Sequence, residues 1–378
     1  MAVPAGCVAH CPGCAHRDWP LERSLAQKRD FLVATLPVDP PLVGEIQGPA
    51  PEFRWGYRAK TLLHGALIEG EWRFGLQRRK PGGKPGEFEL VPIPGCPAHE
   101  PRINRLLGVL ALSLPLDATT FPLSHILVSG PFTTLVLKTS RMPDLDWLDR
   151  VDWESHGIQG VFLNLHPSAG RRVTTSKGWK KVWGEGRANF ELLGSRIEFG
   201  PQSFLQQIPS LQEKALRAAE GFLEPLEGDS VLDLCCGIGA SMKLWSARGA
   251  RTIGVELGEE SIRFARENTR DAIAPVELLQ GRVSHRLPQL RAWSDAGKNR
   301  LLAFVNPPRL GLEEDVCDWL ARETRLERIA YLSCSPGTLA RDLRHFQAHG
   351  FEVKGAQPFD FFPQTLHVET LALLERRR

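Results

Sequence analysis

Two side chains near the C-terminus combine reactive chemistry with unusual settings. Cys334 stands in Ser333-Cys334-Ser335-Pro336, directly after the apolar run Ala330-Tyr331-Leu332. A free cysteine inside a core strand ordinarily serves as a small apolar residue. Here two serines and a proline flank it, so it is expected at the exposed end of its strand. A thiol of ordinary pKa, about 8.5, is only a few per cent ionised at neutral pH. A neighbouring cation, or the N-terminus of a helix through Gly337-Thr338-Leu339, would raise that fraction and make the sulfur a nucleophile. Glu369 lies in an otherwise apolar closing strand, where an unpaired carboxylate is costly. It is expected either to pair structurally or to face a site, and burial would lift its pKa to a value useful for accepting a proton. His367, two residues earlier, is a weaker candidate on the same face.

A ligand site is legible upstream. Val231-Leu232-Asp233-Leu234-Cys235-Cys236-Gly237-Ile238-Gly239-Ala240 places an apolar strand before a Gly-x-Gly turn and a helix. Gly237 and Gly239 let backbone come close to a ligand at the carboxyl end of a first strand. A dinucleotide fingerprint would place a third glycine at position 242, where Met242 stands, and this weakens a pyrophosphate assignment. Asp233 suits a polar or cationic ligand better than a phosphate. The next strand ends in Glu256, a carboxylate able to accept bonds from both hydroxyls of a ribose. Together these features favour S-adenosylmethionine over NAD; the alternative is a turn whose glycines serve only helix–strand packing. Asn306-Pro307-Pro308-Arg309 closes a further strand. Its prolines stiffen the backbone and hold Asn306 where it can bond to a cofactor or reacting base.

Cys7, Cys11 and Cys14 crowd the start of the chain, and with Cys96 they make four thiolates, enough to hold a 4Fe–4S cluster. Zinc is the chemical rival, because His10 and His16 lie close by. Ordinary reduced cysteines are the third possibility. No basic stretch followed by an apolar one opens the sequence and no apolar run approaches ~20 residues, so a cytoplasmic location and no membrane are expected. In that setting clustered cysteines point to a metal before they point to disulfides.

The elements that must position these residues follow from the patterning. A length of 378 residues favours two domains. Residues 20–36 show helical spacing of Leu21, Leu25, Phe31, Leu32 and Leu36. From about 53 to 204, short alternating runs such as RFGLQRRK, HILVSG, FTTLVLK, GVFLNL and SRIEFG are separated by Gly and Pro and read as strands of a β-rich half. From about 210, apolar runs alternate with helical stretches, which implies a parallel sheet covered on both faces. The last two strands have no helix between them, as when a closing strand returns antiparallel. The boundaries expected are 1–200 for the cysteine segment and β-rich domain and 201–378 for the doubly wound domain, with the helix near 20–37 able to pack on the latter.

Net charge is only +3, but its distribution is uneven. Arg171, Arg172, Lys177, Lys180, Lys181 and Arg187 surround Trp179 and Trp183. A second group includes Arg54, Trp55, Tyr57, Arg58, Lys60, Trp72, Arg73, Arg78, Arg79, Lys80 and Lys84. Cations neutralise phosphates and flat rings stack on unpaired bases, so an RNA contact competes here with a solvated face over core tryptophans.

Asp-Leu-Cys-Cys-Gly-Ile-Gly, Asn-Pro-Pro-Arg, Ser-Cys-Ser-Pro-Gly-Thr-Leu-Ala-Arg-Asp and Phe-Pro-Gln-Thr-Leu-His-Val-Glu resemble, in order, the motifs of the RNA uracil-C5 methyltransferase family. The resemblance implies a class I, Rossmann-like α/β methyltransferase domain with an antiparallel closing strand, beside a β-rich domain carrying an iron–sulfur site. It implies Cys334 as the nucleophile that adds to C6 of a uracil and Glu369 as acceptor of the C5 proton. Gln206, in Phe204-Leu205-Gln206, falls at the family's cofactor-contacting glutamine. The sequence departs from the family pattern at Ile208, Cys235 and Ala240. CPGCAHRDWPLERSLAQK with IPGCP resembles the iron–sulfur segment of the ribosomal-RNA members, which favours 23S rRNA over tRNA and a 4Fe–4S cluster over zinc. A small β-barrel precedes the cysteines in many relatives. Cys7 lies too near the start for one, so RNA selection is expected to rest on Arg58, Lys60, Lys177, Trp179, Lys180 and Lys181. No obligate protein partner is implied. The reading from another class is a non-catalytic RNA-binding protein on a methyltransferase scaffold.

Overall fold

A computed structural model describes residues 3–170 and 172–377; Arg171 of the basic stretch lies outside them. Helix α1 (Leu21–Thr35) comes first, then strands β1 (Lys60–Ile68), β2 (Glu71–Arg79) and β3 (Phe88–Pro92). Helix α2 (Pro101–Ser113) separates these from β4 (Leu123–Ser129), β5 (Phe132–Leu137), β6 (Gly160–Leu165) and β7 (Trp179–Gly184). A ribbon of β8 (Ala188–Leu192) and β9 (Ser195–Phe199) follows, and then the alternating half. That half runs α3 (Pro209–Leu223), β10 (Ser230–Leu234), α4 (Ala240–Ala247), β11 (Arg251–Glu256), α5 (Glu259–Asn268) and β12 (Val276–Gln280). It continues with α6 (Leu287–Asp295), β13 (Leu301–Val305), α7 (Glu314–Arg322), β14 (Leu326–Ser333), α8 (Pro336–Ala348), β15 (Phe351–Phe359) and β16 (Glu369–Arg376).

Two compact units result: Met1–Trp19 with Ala50–Ala188, and Pro20–Pro49 with Asn189–Arg378. This departs from the 200/201 boundary read from sequence at the β8–β9 ribbon; the helix near 20–37 was already expected to be able to pack on the second unit. The β8–β9 ribbon goes with the second unit, where Asn268 of α5 clamps it: Nδ2 donates to the Glu198 carbonyl and Oδ1 accepts the Glu198 N–H. Residues 20–49 also go there, because α1 and the segment after it are tied to the far edge of the second sheet.

In the first unit a sheet of order β3-β2-β1-β4-β5-β6-β7 is antiparallel except for the β5–β6 pair. Leu63, Ile126, Leu135 and Leu163 share one face and pack on α2, whose Ile103, Leu106, Leu107 and Leu110 are buried at helical spacing. The patterning of residues 53–204 reads as β-rich, and α2 is a helix within it that the strand-like runs do not announce.

The second unit holds a sheet of order β12-β11-β10-β13-β14-β16-β15. All neighbours are parallel until β16, which returns antiparallel between β14 and β15. Its central strands are buried along their length, as a parallel sheet covered by helices on both faces requires. The edge strand β15 does not stay open. Gly44 and Gln47 donate to the Ala356 and Pro358 carbonyls, and Asp360 donates back to Gln47. The segment between the two pieces of the first unit thus caps an edge that would otherwise invite pairing with another chain. Helix α1 is fixed there by Lys28, whose ammonium meets the Asp360 carboxylate at 2.5 Å with both side chains buried.

Candidate active site

The turn after β10 runs through left-handed backbone. Cys235, Gly237 and Gly239 adopt φ of 64°, 55° and 78°. A non-glycine residue in this region costs on the order of 1–3 kcal/mol and is retained where surrounding structure demands it. The Gly237 N–H donates to Glu256 Oε2 at 3.1 Å and the Gly258 N–H to Oε1 at 2.7 Å. Both carboxylate oxygens are thereby aimed while keeping lone pairs for a ribose. Gly239 plays a different part: a Cβ there would press on Ala265 of α5 at 3.1 Å, so this glycine serves helix packing. Met242 is fully buried against β11, where a Cβ on Gly254 would collide with its sulfur. The glycine that brings helix and strand together has moved from position 242 to the facing strand.

Asp233 is corrected from ligand contact to support. It is fully buried, does not line the cavity, and accepts the Trp245 indole N–H at 2.9 Å. Burial pushes its carboxyl up to about 6, against the pull of Ser241 and Trp245.

A cavity of about 710 Å³ opens at the carboxyl ends of β10, β11, β13 and β14, wholly within the second unit. Gln206, Cys235, Gly237, Glu256, Asn306, Arg309, Cys334 and Glu369 all line it. The Asn306 N–H is anchored on the Leu234 carbonyl at 3.1 Å, so the two strand ends are in register at the site. The serines around Cys334 explain its placement. Ser333 Oγ accepts the Ser335 N–H at 3.2 Å and donates to the Ser335 carbonyl, pinning the backbone on both sides of the thiol.

Burial and then the Glu369 charge push the Cys334 thiol above its ordinary pKa, while Arg309 draws it back. A backbone hydrogen bond also draws it down, and burial outweighs both. Arg309 is the cation that does act here, and it was named in sequence only as the end of Asn-Pro-Pro-Arg. Its loop is held by Arg341 and Asp342 of α8: Asp342 accepts the Leu312 N–H at 3.1 Å, and Arg341 donates to the Leu310 and Leu312 carbonyls.

Glu369 opens β16 and is buried. Burial raises its carboxyl to about 7, against the Gln206 hydrogen bond and the Arg309 charge. Gln206 Nε2 donates to Glu369 Oε2 at 3.0 Å, which leaves Gln206 Oε1 buried with no partner among the described residues. Gln206 lines the cavity, and an orphaned buried acceptor there fits a ligand that donates a hydrogen bond. His367 is exposed beside Phe362 and does not line the cavity.

The four N-terminal cysteines line a separate small cavity in the first unit with Trp55 and Ile93. The Gly13 N–H lies 3.4 Å from Cys11 Sγ, and backbone N–H groups of Ala98 and His99 point at Cys96. Burial and the neighbouring thiols push Cys14 up to about 11. Among the described residues no three His, Cys, Asp or Glu side chains close on a single metal ion. His16 is buried in a stack with Trp19, with ring centroids 4.2 Å apart.

Of the expected RNA contacts, Lys177, Lys180 and Lys181 are exposed and Trp179 half-buried on β7, packed against Phe162. Arg58 instead donates to the Tyr57 hydroxyl and lies against Cys14 and Cys96. Lys60 has its pKa lowered by burial. No helix among the described residues is long and apolar enough to cross a membrane.

A doubly wound sheet with a ribose-ready carboxylate after its second strand and reactive groups at the next strand ends defines an S-adenosylmethionine-dependent methyltransferase. Residues 194–377 match the family model described as tRNA (uracil-5-)-methyltransferase. An RNA methyltransferase of Clostridium acetobutylicum is 30% identical over 85% of this chain and 71% of its own length. Another, of Lactobacillus johnsonii, is 29% identical over 94% and 80%. In three dimensions the chain is similar to the Pyrococcus abyssi tRNA (uracil-54, C5)-methyltransferase in complex with S-adenosyl-L-homocysteine. The TM-score is 0.68 at 22% identity, over 96% of this chain and 86% of that one. The chain belongs to the RNA (uracil-5-)-methyltransferase family.

Proposed function

We propose that this protein methylates C5 of one uridine in 23S rRNA through a transient bond between Cys334 and C6. The observation that carries the proposal is the placement of Cys334, Glu369 and Arg309 in one cavity with Glu256 and Gln206. S-adenosylmethionine supplies the methyl group as a sulfonium electrophile, for which uracil C5 is by itself too weak a nucleophile. The Cys334 thiolate adds to C6, and the ring's electron pair moves toward C5 as an enolate. Arg309 favours the thiolate before this addition. C5 takes the methyl group, and Glu369 then accepts the C5 proton. The pair left behind re-forms the C5–C6 double bond and expels the sulfur. The uridine must leave its stack to enter. Glu256 would hold the cofactor's ribose, with Gln206, Asn306 and the backbone of Cys235 and Gly237 around it; Asp233 and Gly239 support that wall from behind.

Incubation with S-adenosylmethionine and RNA containing 5-fluorouridine tests the mechanism. Fluorine cannot leave as a proton, so a covalent protein–RNA adduct should accumulate and map to Cys334. An adduct that still forms in Cys334→Ala would sink the assignment, and no adduct or methyl transfer at all would favour a non-catalytic RNA-binding protein.

The choice of 23S rRNA rests on the resemblance of the cysteine segment to the ribosomal-RNA members. The family model's description favours tRNA as the second reading. Cys7, Cys11, Cys14 and Cys96 are proposed to hold a 4Fe–4S cluster that stiffens the RNA-binding unit; four thiols on one cavity with N–H groups aimed at sulfur suit that group. Protein isolated without oxygen should contain iron and acid-labile sulfide, and Cys14→Ser should lose both. Zinc in their place would overturn the cluster.

A further inference from the structure

The sheet of the first unit packs α2 on one face. On the other, β1, β2 and β4 floor an open groove of about 950 Å³ that shares no residue with the methyl-transfer cavity. Strand alternation puts Leu62, His64 and Ala66 of β1 on this face. His125 of β4 lies directly opposite His64, and Gln77 of β2 stands beside them. Lys138, after β5, borders the groove and is exposed.

The two imidazoles are arranged as a pair, with ring centroids 4.3 Å apart. Ser124 fixes the tautomer of His125. Its hydroxyl donates to the Val136 carbonyl at 3.1 Å, so it accepts from His125 Nδ1 at 3.0 Å, and Nε2 of the neutral ring is left as an acceptor. Burial lowers the pKa of both rings, helped for His125 by His64 and for both by Lys138, and His125 falls to about 4. At neutral pH the groove therefore offers uncharged π-surfaces, a base-edge acceptor, the Gln77 amide and the Lys138 ammonium.

The charge of the molecule names the occupant. The unit that carries the groove has twenty Lys and Arg against fourteen Asp and Glu, a net +6, whereas the other unit carries −3. A polyanion with flat, hydrogen-bonding bases meets every one of these features. We propose that the groove binds an unpaired nucleotide of the substrate RNA, its base on His64, its exocyclic amine donating to His125 Nε2 and its phosphate at Lys138. This rests on RNA as the substrate and adds a contact distinct from the methyl-accepting uridine. It favours adenosine over uridine, because the purine offers the larger face to His64 and an amine to His125 Nε2, where uridine has only its ring N3–H.

Fluorescence anisotropy of full-length protein with labelled 12-nucleotide oligoadenylate and oligouridylate tests it. Wild type should bind oligoadenylate more tightly. His64→Ala should weaken that binding about tenfold with an unchanged salt slope, as loss of one stacked base does. Lys138→Ala should weaken it and lower the slope of log K against log salt by about 0.7, one single-strand phosphate. In methyl transfer to substrate RNA both effects should appear in KM rather than kcat. Equal affinity for the two oligonucleotides, or His64→Ala and Lys138→Ala proteins that bind as wild type, would overturn the groove. If wild type itself transfers no methyl to RNA, the functional proposal falls instead.

Discussion

Burying Glu369 behind Gln206 has consequences for stability as well as rate. Its carboxyl is lifted from about 4.5 to about 7 in the folded chain. Between those values the native state keeps a proton that the unfolded chain has lost, so stability is full below pH 4.5 and declines as pH rises through 7. Asp233, lifted from 3.8 to about 6, acts in the same direction over a lower window. Glu369→Gln should therefore be more stable than wild type at pH 8, by on the order of 3 kcal/mol, and melt alike at pH 4. The variant should also methylate poorly and retain the covalent adduct on ordinary uridine RNA, since nothing then takes the C5 proton. In wild type the methylation rate should climb through pH 7. Equal melting of the two proteins at pH 8 would remove the claim that this carboxyl is held protonated. Cys334 and Glu369 were legible because each is chemically out of place in an apolar strand. Arg309 was not, because an exposed arginine after two prolines looks like any loop cation until the fold brings it to the thiol. Asp233 misled for the opposite reason: a carboxylate before a glycine turn says nothing about which side of the strand it faces, and Trp245 decides that.

Helix α1 is far in sequence from the catalytic loop, yet Lys28 holds Asp360, nine residues before Glu369. Removing one partner of a fully buried ion pair leaves the other charge uncompensated, at about 3–5 kcal/mol. Lys28→Met should lose that much in urea unfolding and lower kcat. Adding Asp360→Leu should restore most of the stability and little of the activity, because the loop no longer has its anchor. A Lys28→Met protein as stable as wild type would make the pair irrelevant. The alternating half of the fold was readable because strands buried on both faces are unbroken apolar runs and amphipathic helices separate them. Helix α2 carried its own signal, Pro101 at the first turn and apolar residues at 103, 106, 107 and 110, but it sits among strand-like segments. The pairing of residues 43–47 with β15 was beyond sequence, since it joins segments some 300 residues apart through backbone groups that every residue has.

A net charge of +3 conceals a separation that becomes visible only when residues are sorted by the unit they fold into. The first unit carries +6 and the second −3. Electrostatic affinity for RNA, and its loss with salt, should then reside in the first unit, while the cavity that selects cofactor and uracil stays comparatively salt-insensitive. Lys180 and Lys181 sit exposed on β7, an edge strand of the first unit's sheet, beside Trp179. Neutralising a phosphate contributes about 0.7–0.9 to the slope of log K against log salt, so two contacts contribute between one and two. Lys180→Glu/Lys181→Glu should weaken RNA binding at low salt and flatten the slope by that amount. Affinity for S-adenosylmethionine should not change. The double substitution reverses two exposed charges and breaks no ion pair among the described residues, so its unfolding should match wild type within about 0.5 kcal/mol. A flattened slope with unchanged cofactor affinity assigns the RNA backbone to this strand; a slope identical to wild type would mean that the phosphates lie elsewhere on the +6 unit, and that the lysines beside Trp179 are only its solvated edge.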